Sequence, residues 1–122
     1  MKQEEFEVLF DEWNQALQTG DPAKVAAFYT SDGLLLPTMS SKLRHNNEEI
    51  KDYFEQFLKS GPVGTLVESN IRSFGEVSIN SGLYSFSFKD GSNKLFRYTF
   101  VYRWNGKRWM IADHHSSRIP EE

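Results

Sequence analysis

Two of the chain's three histidines stand side by side near its C-terminal end, in the stretch Trp109-Met110-Ile111-Ala112-Asp113-His114-His115-Ser116-Ser117-Arg118-Ile119-Pro120. Imidazoles beside a carboxylate and hydroxyls are the groups of general acid–base chemistry, and histidine also serves as a pH-responsive ligand group. The apolar half of the stretch reads as a strand entering a core. Neighbouring rings on a strand point to opposite faces, so only one of the two serves a given pocket. They cannot share one catalytic geometry or easily chelate one metal. With no cysteine and no His/Glu spacing on a helix, neither a metal nor another cofactor is expected. The plainer reading of each histidine is an imidazole bonded into a core or interface network. His115 shares a face with Ser117, and His114 with Ser116; which face lines a pocket stays open.

A carboxylate is the other half of acid–base work. Asp113 and Asp32 are the acids placed plausibly for it, and Asp32-Gly33 reads more simply as a turn. His115 or Asp113 is therefore the candidate base of a small enzyme. His45 lies in a loop and reads as solvated. Arg44 and Arg97 would each offer a fork of donors to a carboxylate ligand if they faced a pocket, or pair with surface acids if they did not. Tyr53 and Tyr84 would add amphipathic lining, so Arg44, Tyr53, Tyr84, Arg97, His114, His115 and Ser117 form the candidate ligand pocket.

Those side chains need elements to hold them. Phe6, Leu9, Phe10, Trp13, Ala16 and Leu17 recur at helical spacing and predict a helix over 4–19 with Gly20 as its stop. Asp21-Pro22 opens a short second helix, and Asn46 or Asn47 caps a third that carries Ile50, Tyr53, Phe54, Phe57 and Leu58. Leu34–Leu36 is a short buried run, and 40–44 reads as a short strand. Thr65 to Ile79 reads as one long strand bent at Gly75, turned by Asn80-Ser81-Gly82. Strands follow over 83–89, 95–104 and 108–116, with hairpin signals at Asp90-Gly91 and Asn105-Gly106. Helices followed by a meander of strands is an α+β arrangement, with the helices on one face of the sheet.

At 122 residues the chain is a single domain over 1–122, and 15% aromatic content argues for a packed core. A net charge of −3 without a basic patch argues against nucleic acid. The acidic N-terminus lacks a signal-peptide run, no segment has the apolar length to span a bilayer, and cysteine is absent. The expectation is a cytoplasmic protein without a membrane partner. Tyr98, Phe100, Tyr102 and Trp104 share one strand face and Tyr84, Phe86 and Phe88 another. Both sets would crowd a small cone, so 98–104 is expected to cover the sheet's outer face as an interface.

Gly20-Asp21-Pro22, the passage from Tyr29 to Leu36 and Trp109-x-Ile111 resemble the SnoaL-like, or nuclear-transport-factor-2-like, superfamily. The segments Leu36-Pro37-Thr38 through Arg44, Ile50 through Leu58, Arg97 through Tyr102 and His114-His115-Ser116-Ser117 more narrowly resemble the association (hub) domain of calcium/calmodulin-dependent protein kinase II, in its stand-alone bacterial and algal type. The resemblance implies a cone of three N-terminal helices on a strongly curved antiparallel sheet. It also implies self-association into a homodimer or a higher-order ring, with no kinase activity. Family pockets carry arginines on the late strands; Phe100 and Ser116 stand at two such positions here. The expected function is a non-catalytic hub that holds a small carboxylate in its cone. The alternative is an isomerase, cyclase or hydratase.

Overall fold

Phe6, Phe10, Trp13, Ala16 and Leu17 fall on one helical stripe. In the computed structural model, which describes residues 1–120, they lie buried along α1 (Gln3–Gln18). The Glu5 carboxylate accepts from the Lys2 N–H at 3.0 Å and closes the helix start. Gly20, at φ 73°, carries the chain out of it in the left-handed region that glycine tolerates. Asp21 then accepts from the Ala23 N–H at 3.0 Å, and Pro22 opens α2 (Pro22–Ala26). Asn46 caps α3 (Asn47–Phe57) by accepting from the Glu49 N–H at 2.9 Å. The Asn47 amide donates to the carbonyls of Ala26 at 2.9 Å and Tyr29 at 3.2 Å. That ties α3 to the end of α2 and the start of β1 (Tyr29–Leu36).

The remaining strands are β2 (Val63–Phe74), β3 (Val77–Ser87), β4 (Asn93–Trp104) and β5 (Trp109–Arg118), in the spatial order β1-β5-β4-β3-β2. The fold is α+β on a curved sheet. It is not wholly antiparallel: β1 pairs with β5 in parallel, because the meander starts at the far edge and walks back to it. The 40–44 stretch forms no strand; only Leu35 and Arg44 bridge, through N–H to carbonyl bonds of 2.8 and 2.9 Å. Asp32-Gly33 is not a turn but lies inside β1, where the pairing with β5 slips between Tyr29 and Leu34.

The meander also departs from expectation. The chain turns at Gly75-Glu76, with Gly75 at φ 66°, and Asn80-Ser81-Gly82 runs through the middle of β3. Asn80 is buried there and satisfied. Its amide donates to Ser69 Oγ at 2.8 Å and its carbonyl accepts from the Tyr98 hydroxyl at 2.7 Å. Gly82 allows close approach rather than a turn: a Cβ there would sit 2.0 Å from the Glu68 carbonyl oxygen, beside the slip in pairing between Leu66 and Glu68.

The core fills the space between the helices and one sheet face. Phe6 lies across β4, its ring centroid 6.4, 6.1 and 6.0 Å from those of Tyr98, Phe100 and Tyr102. These three are buried within the subunit and correct the expectation of an aromatic interface. The cone accommodates both aromatic sets because α1 crosses it with Phe6, Phe10 and Trp13, whose rings meet their neighbours edge-on or tilted, the parallel Phe6–Tyr98 pair excepted. Only Trp104, 37% exposed, reaches the surface, at the strand end against Trp109. Along β3, β4 and β5 the opposite face carries no fully buried side chain.

Candidate functional site

A one-residue bulge decides which histidine enters the cone. On β5, Ile111 pairs with Tyr102 and Asp113 with Val101, so three residues of β5 face two of β4. Ile111 and His114 therefore both point inward although they are three apart, and both are buried. Asp113, His115 and Ser117 are turned to the outer face, beside Val101, Thr99 and Arg97. The expected pocket thus divides. Tyr53, Tyr84 and His114 line the cone, while Arg97, His115 and Ser117 do not, and Ser116 takes the place foreseen for Ser117. The bases expected of an enzyme, His115 and Asp113, both stand outside the cone for the same reason. Asp32 and His45 are exposed, and His45 bonds Glu49 at 3.0 Å.

His114 is held at both ring nitrogens. The Tyr29 hydroxyl lies 2.8 Å from Nδ1, and the Tyr84 hydroxyl 3.1 Å from Nε2. Trp13 Nε1 donates to the Tyr29 oxygen at 3.3 Å. Phe100 stacks on the imidazole with centroids 4.0 Å apart. Burial disfavours the charged ring, and nearby His115 disfavours it further, so the His114 pKa falls to about 3. Burial likewise raises the hydroxyl pKa values of Tyr29 and Tyr84, and that of Tyr53 to about 12. At neutral pH this interior is uncharged, hydrogen-bonded and apolar. Sequence reasoning missed Trp13, Tyr29, Thr38 and Ser116. Trp13 and Tyr29 had a signal, since a buried indole or phenol needs a partner and His114 is the ring within reach.

Inside the cone lies a cavity of about 30 Å³, bounded by Trp13, Tyr53, Phe57, Phe86, His114 and Ser116 among others. That is room for one or two waters. A wider groove of about 370 Å³ shares Met39, Tyr53 and Phe57 with it and is flanked by Arg44. Arg44 is 9% exposed, and its guanidinium sits over the Tyr53 ring at 5.3 Å. It donates to Ser40 Oγ at 3.1 Å and to the Lys42 carbonyl, while Nε has no partner. Among the described residues no carboxylate lies within ion-pair distance of it. An almost buried cation without a counter-ion, beside a groove, is a place where an anion gains attraction without displacing a partner. No cluster of three His, Asp or Glu suited to a metal occurs among the described residues, and no helix is long and apolar enough to cross a membrane.

The family model of the calcium/calmodulin dependent protein kinase II association domain matches residues 2–120. Among solved structures, the chain is 42% identical to a candidate calcium/calmodulin dependent protein kinase II association domain from Xanthomonas campestris, at a TM-score of 0.94, covering 100% of this chain and 91% of that one. A nuclear-transport-factor-2-like protein of unknown function from Pseudomonas putida KT2440 superposes at 0.83 with 19% identity, over 98% of this chain and 87% of the other. A candidate dehydratase of the same fold family from Streptomyces avermitilis superposes at 0.82 with 14% identity, over 97% and 96%. At those lower identities the likeness is one of fold. Among curated proteins none matches the chain.

Proposed function

The chain belongs to the calcium/calmodulin dependent protein kinase II association-domain family, and from that premise we propose that it is a non-catalytic association module that pairs with a second copy through the bare face of its sheet. The observation that carries this reading is the outward row of β3, β4 and β5. Ile79, Leu83 and Val101 lie half-buried there at the centre, with Leu34 of β1 alongside, and no helix packs over them. Ser81 and Thr99 bond each other across the same face at 3.1 Å. Arg97, Arg103 and Asp113 supply both charge signs around it, as a two-fold contact of one face with itself requires. Burial already raises the Asp113 pKa in the free subunit, against the opposing pull of His115. A stable pairing needs roughly 800 Å² from each partner, a modest share of the 6957 Å² that the subunit exposes.

Light scattering after size exclusion tests the reading. The expected mass is at least twice the 14.2 kDa of one chain, and a ring built from such pairs would run at a higher multiple. Val101→Asp is expected to return the protein to one chain with its fold intact. A clean monomer of the unaltered protein at micromolar concentration refutes the proposal.

The second part of the proposal concerns the cone, which we read as holding a small carboxylate at Arg44. Benzoate is expected to raise the melting temperature of the unaltered protein and of Arg97→Ala, whose arginine lies on the outer face, but not that of Arg44→Ala. Equal stabilisation of all three removes the arginine from the account. The enzymatic alternative lacks its expected base, because His115 and Asp113 face away from the cavity.

A further inference from the structure

The outward stripe of α1 carries one exposed large apolar side chain. Val8 is 56% exposed, and the residues three and four places to either side of it are Glu4, Glu5, Asp11 and Glu12, all acids and all exposed. On a helix those positions are its surface neighbours. With Glu7 they make five carboxylates on α1, which holds no lysine, arginine or histidine. Among the described residues none of the five forms an ion pair. Like charges at these spacings weaken a helix, so α1 keeps a repulsion that its own chain does not relieve.

Beside Val8 the surface is concave. A groove of about 400 Å³ lies between α1 and the start of β5, lined by Val8, Leu9 and Trp109 and by the acids Glu4 and Glu5. Leu9 and Trp109 are half-buried and pack against the core, so the apolar wall is anchored from beneath. Trp104 continues the apolar surface, its ring centroid 5.5 Å from that of Trp109. Arg108, next to Trp109 in the chain, lies over the Phe28 ring at 5.9 Å and pairs with none of the acids. An exposed apolar groove marks a docking surface, and the charge around this one selects its occupant. A neutral partner would desolvate carboxylates without pairing them, and an acidic one would be repelled. A basic partner relieves the repulsion within α1 as it binds.

We infer that this groove docks a basic segment of a partner protein, which seats an aliphatic side chain against Val8, Leu9 and Trp109 and sets lysine or arginine side chains among Glu4, Glu5, Asp11 and Glu12. The site is on the helical side of the sheet, away from the bare face proposed for pairing, and shares no residue with the cone or the Arg44 groove.

The probe is the blocked peptide acetyl-Lys-Lys-Leu-Leu-Lys-Lys-amide, titrated into the ¹⁵N-labelled full chain and followed by NMR. The Val8 and Leu9 amides and the Trp109 indole N–H are expected to move, while the Thr99 and Val101 amides at the bare face do not. Replacing the leucines of the peptide by glutamine, or its lysines by glutamate, is expected to remove the displacement. In the protein, Val8→Ser is expected to weaken binding about three- to tenfold, and Glu4→Gln combined with Glu12→Gln about two- to tenfold. Raising salt from about 0.02 to about 0.3 M is expected to weaken it at least about threefold. All three substituted positions are exposed, so the fold is expected to survive. Equal binding of the leucine and glutamine peptides leaves a charge attraction without a docking groove and overturns the proposal, as does displacement confined to the sheet face, or no binding. The mass of Val8→Ser in light scattering is expected to equal that of the unaltered protein. A lower mass shows that a second copy covers the groove, and overturns the assignment of a basic partner. Val101→Asp keeps the two surfaces apart, because it is expected to bind the peptide as the unaltered protein does.

Discussion

The neutral His114 makes the stability of this fold depend on pH in a way that one variant exposes. In the folded chain the ring stays uncharged down to about pH 3, against an ordinary value of 6.5, because burial excludes its cation. The unfolded chain therefore binds a proton that the folded chain refuses, and stability falls as pH falls from 6.5 towards 3. From pH 7.5 to 5 the unfolded imidazole gains about 1.5 pH units of protonation free energy, which is about 2 kcal/mol from this ring alone. Asp113 acts in the opposite sense, since burial raises its pKa, but it is common to the unaltered protein and the variant and so drops out of their difference. The assay is urea unfolding followed by tryptophan fluorescence at several pH values and one fixed protein concentration, so that self-association does not contribute. His114→Gln keeps a polar side chain that cannot titrate. It is expected to be less stable than the unaltered protein at pH 7.5, by about 1–3 kcal/mol for the broken tyrosine bonds, and the difference is expected to move by about 2 kcal/mol in its favour by pH 5, which closes or reverses the gap. A gap that does not change with pH refutes the reasoning, as does an NMR titration that charges His114 in the folded protein above pH 5.

Other perturbations test the frame that carries the site. Gly82→Ala forces a Cβ against the Glu68 carbonyl, at 2.0 Å without relaxation, and is expected to lower unfolding free energy by at least about 2 kcal/mol in the same urea assay. Phe6→Ala opens a cavity beneath four aromatic rings, because Phe6 is fully buried against Phe10, Tyr98, Phe100 and Tyr102; the expected loss is about 3–5 kcal/mol. Asn14 pins the edge strand to α1, its amide donating to the Gly64 carbonyl and its carbonyl accepting from the Gly64 N–H, both at 2.8 Å. Asn14→Ala should speed hydrogen exchange at the Gly64 amide more than at the centre of β4, and equal protection there would show that α1 does not hold that edge.

The helices were legible because their signals are local. The apolar stripe of α1, the Asp21-Pro22 start of α2 and the Asn46 cap of α3 each act within a turn of chain. The strand turns were less so. Asn80-Ser81-Gly82 has turn composition, yet its asparagine is spent on Ser69 and Tyr98 and its glycine on the Glu68 backbone, both contacts with other strands. Gly75 has the same composition signal and does turn the chain. Residue types alone do not separate these cases, because the difference lies in partners from other strands. The aromatic faces failed for a related reason. The alternation of Tyr98, Phe100 and Tyr102 was read correctly as one face, but whether a cone can hold so many rings depends on how α1 lies across them.

The site itself turned on a single inserted residue. Carried forward from Ile111 at a period of two, the inward positions of β5 would be Asp113, His115 and Ser117, which would put a carboxylate and an imidazole together in the cone. The bulge opposite Val101 and Tyr102 exchanges that set for His114 and Ser116. The acid–base pair goes to the outer face, where it stands among the residues proposed to meet a second subunit. The cone instead receives an imidazole that two tyrosines hold neutral. One extra residue thus separates a surface suited to association from an interior suited to holding a small ligand. Deleting Ala112 should therefore remove the bulge and leave the inward set intact, because Ile111 and His114 then stand two apart with Asp113 between them on the outer face. The variant is expected to unfold cooperatively and to keep His114 neutral in an NMR titration. If His114 charges there above pH 5, the count of residues along β5 does not determine which side chains occupy the cone.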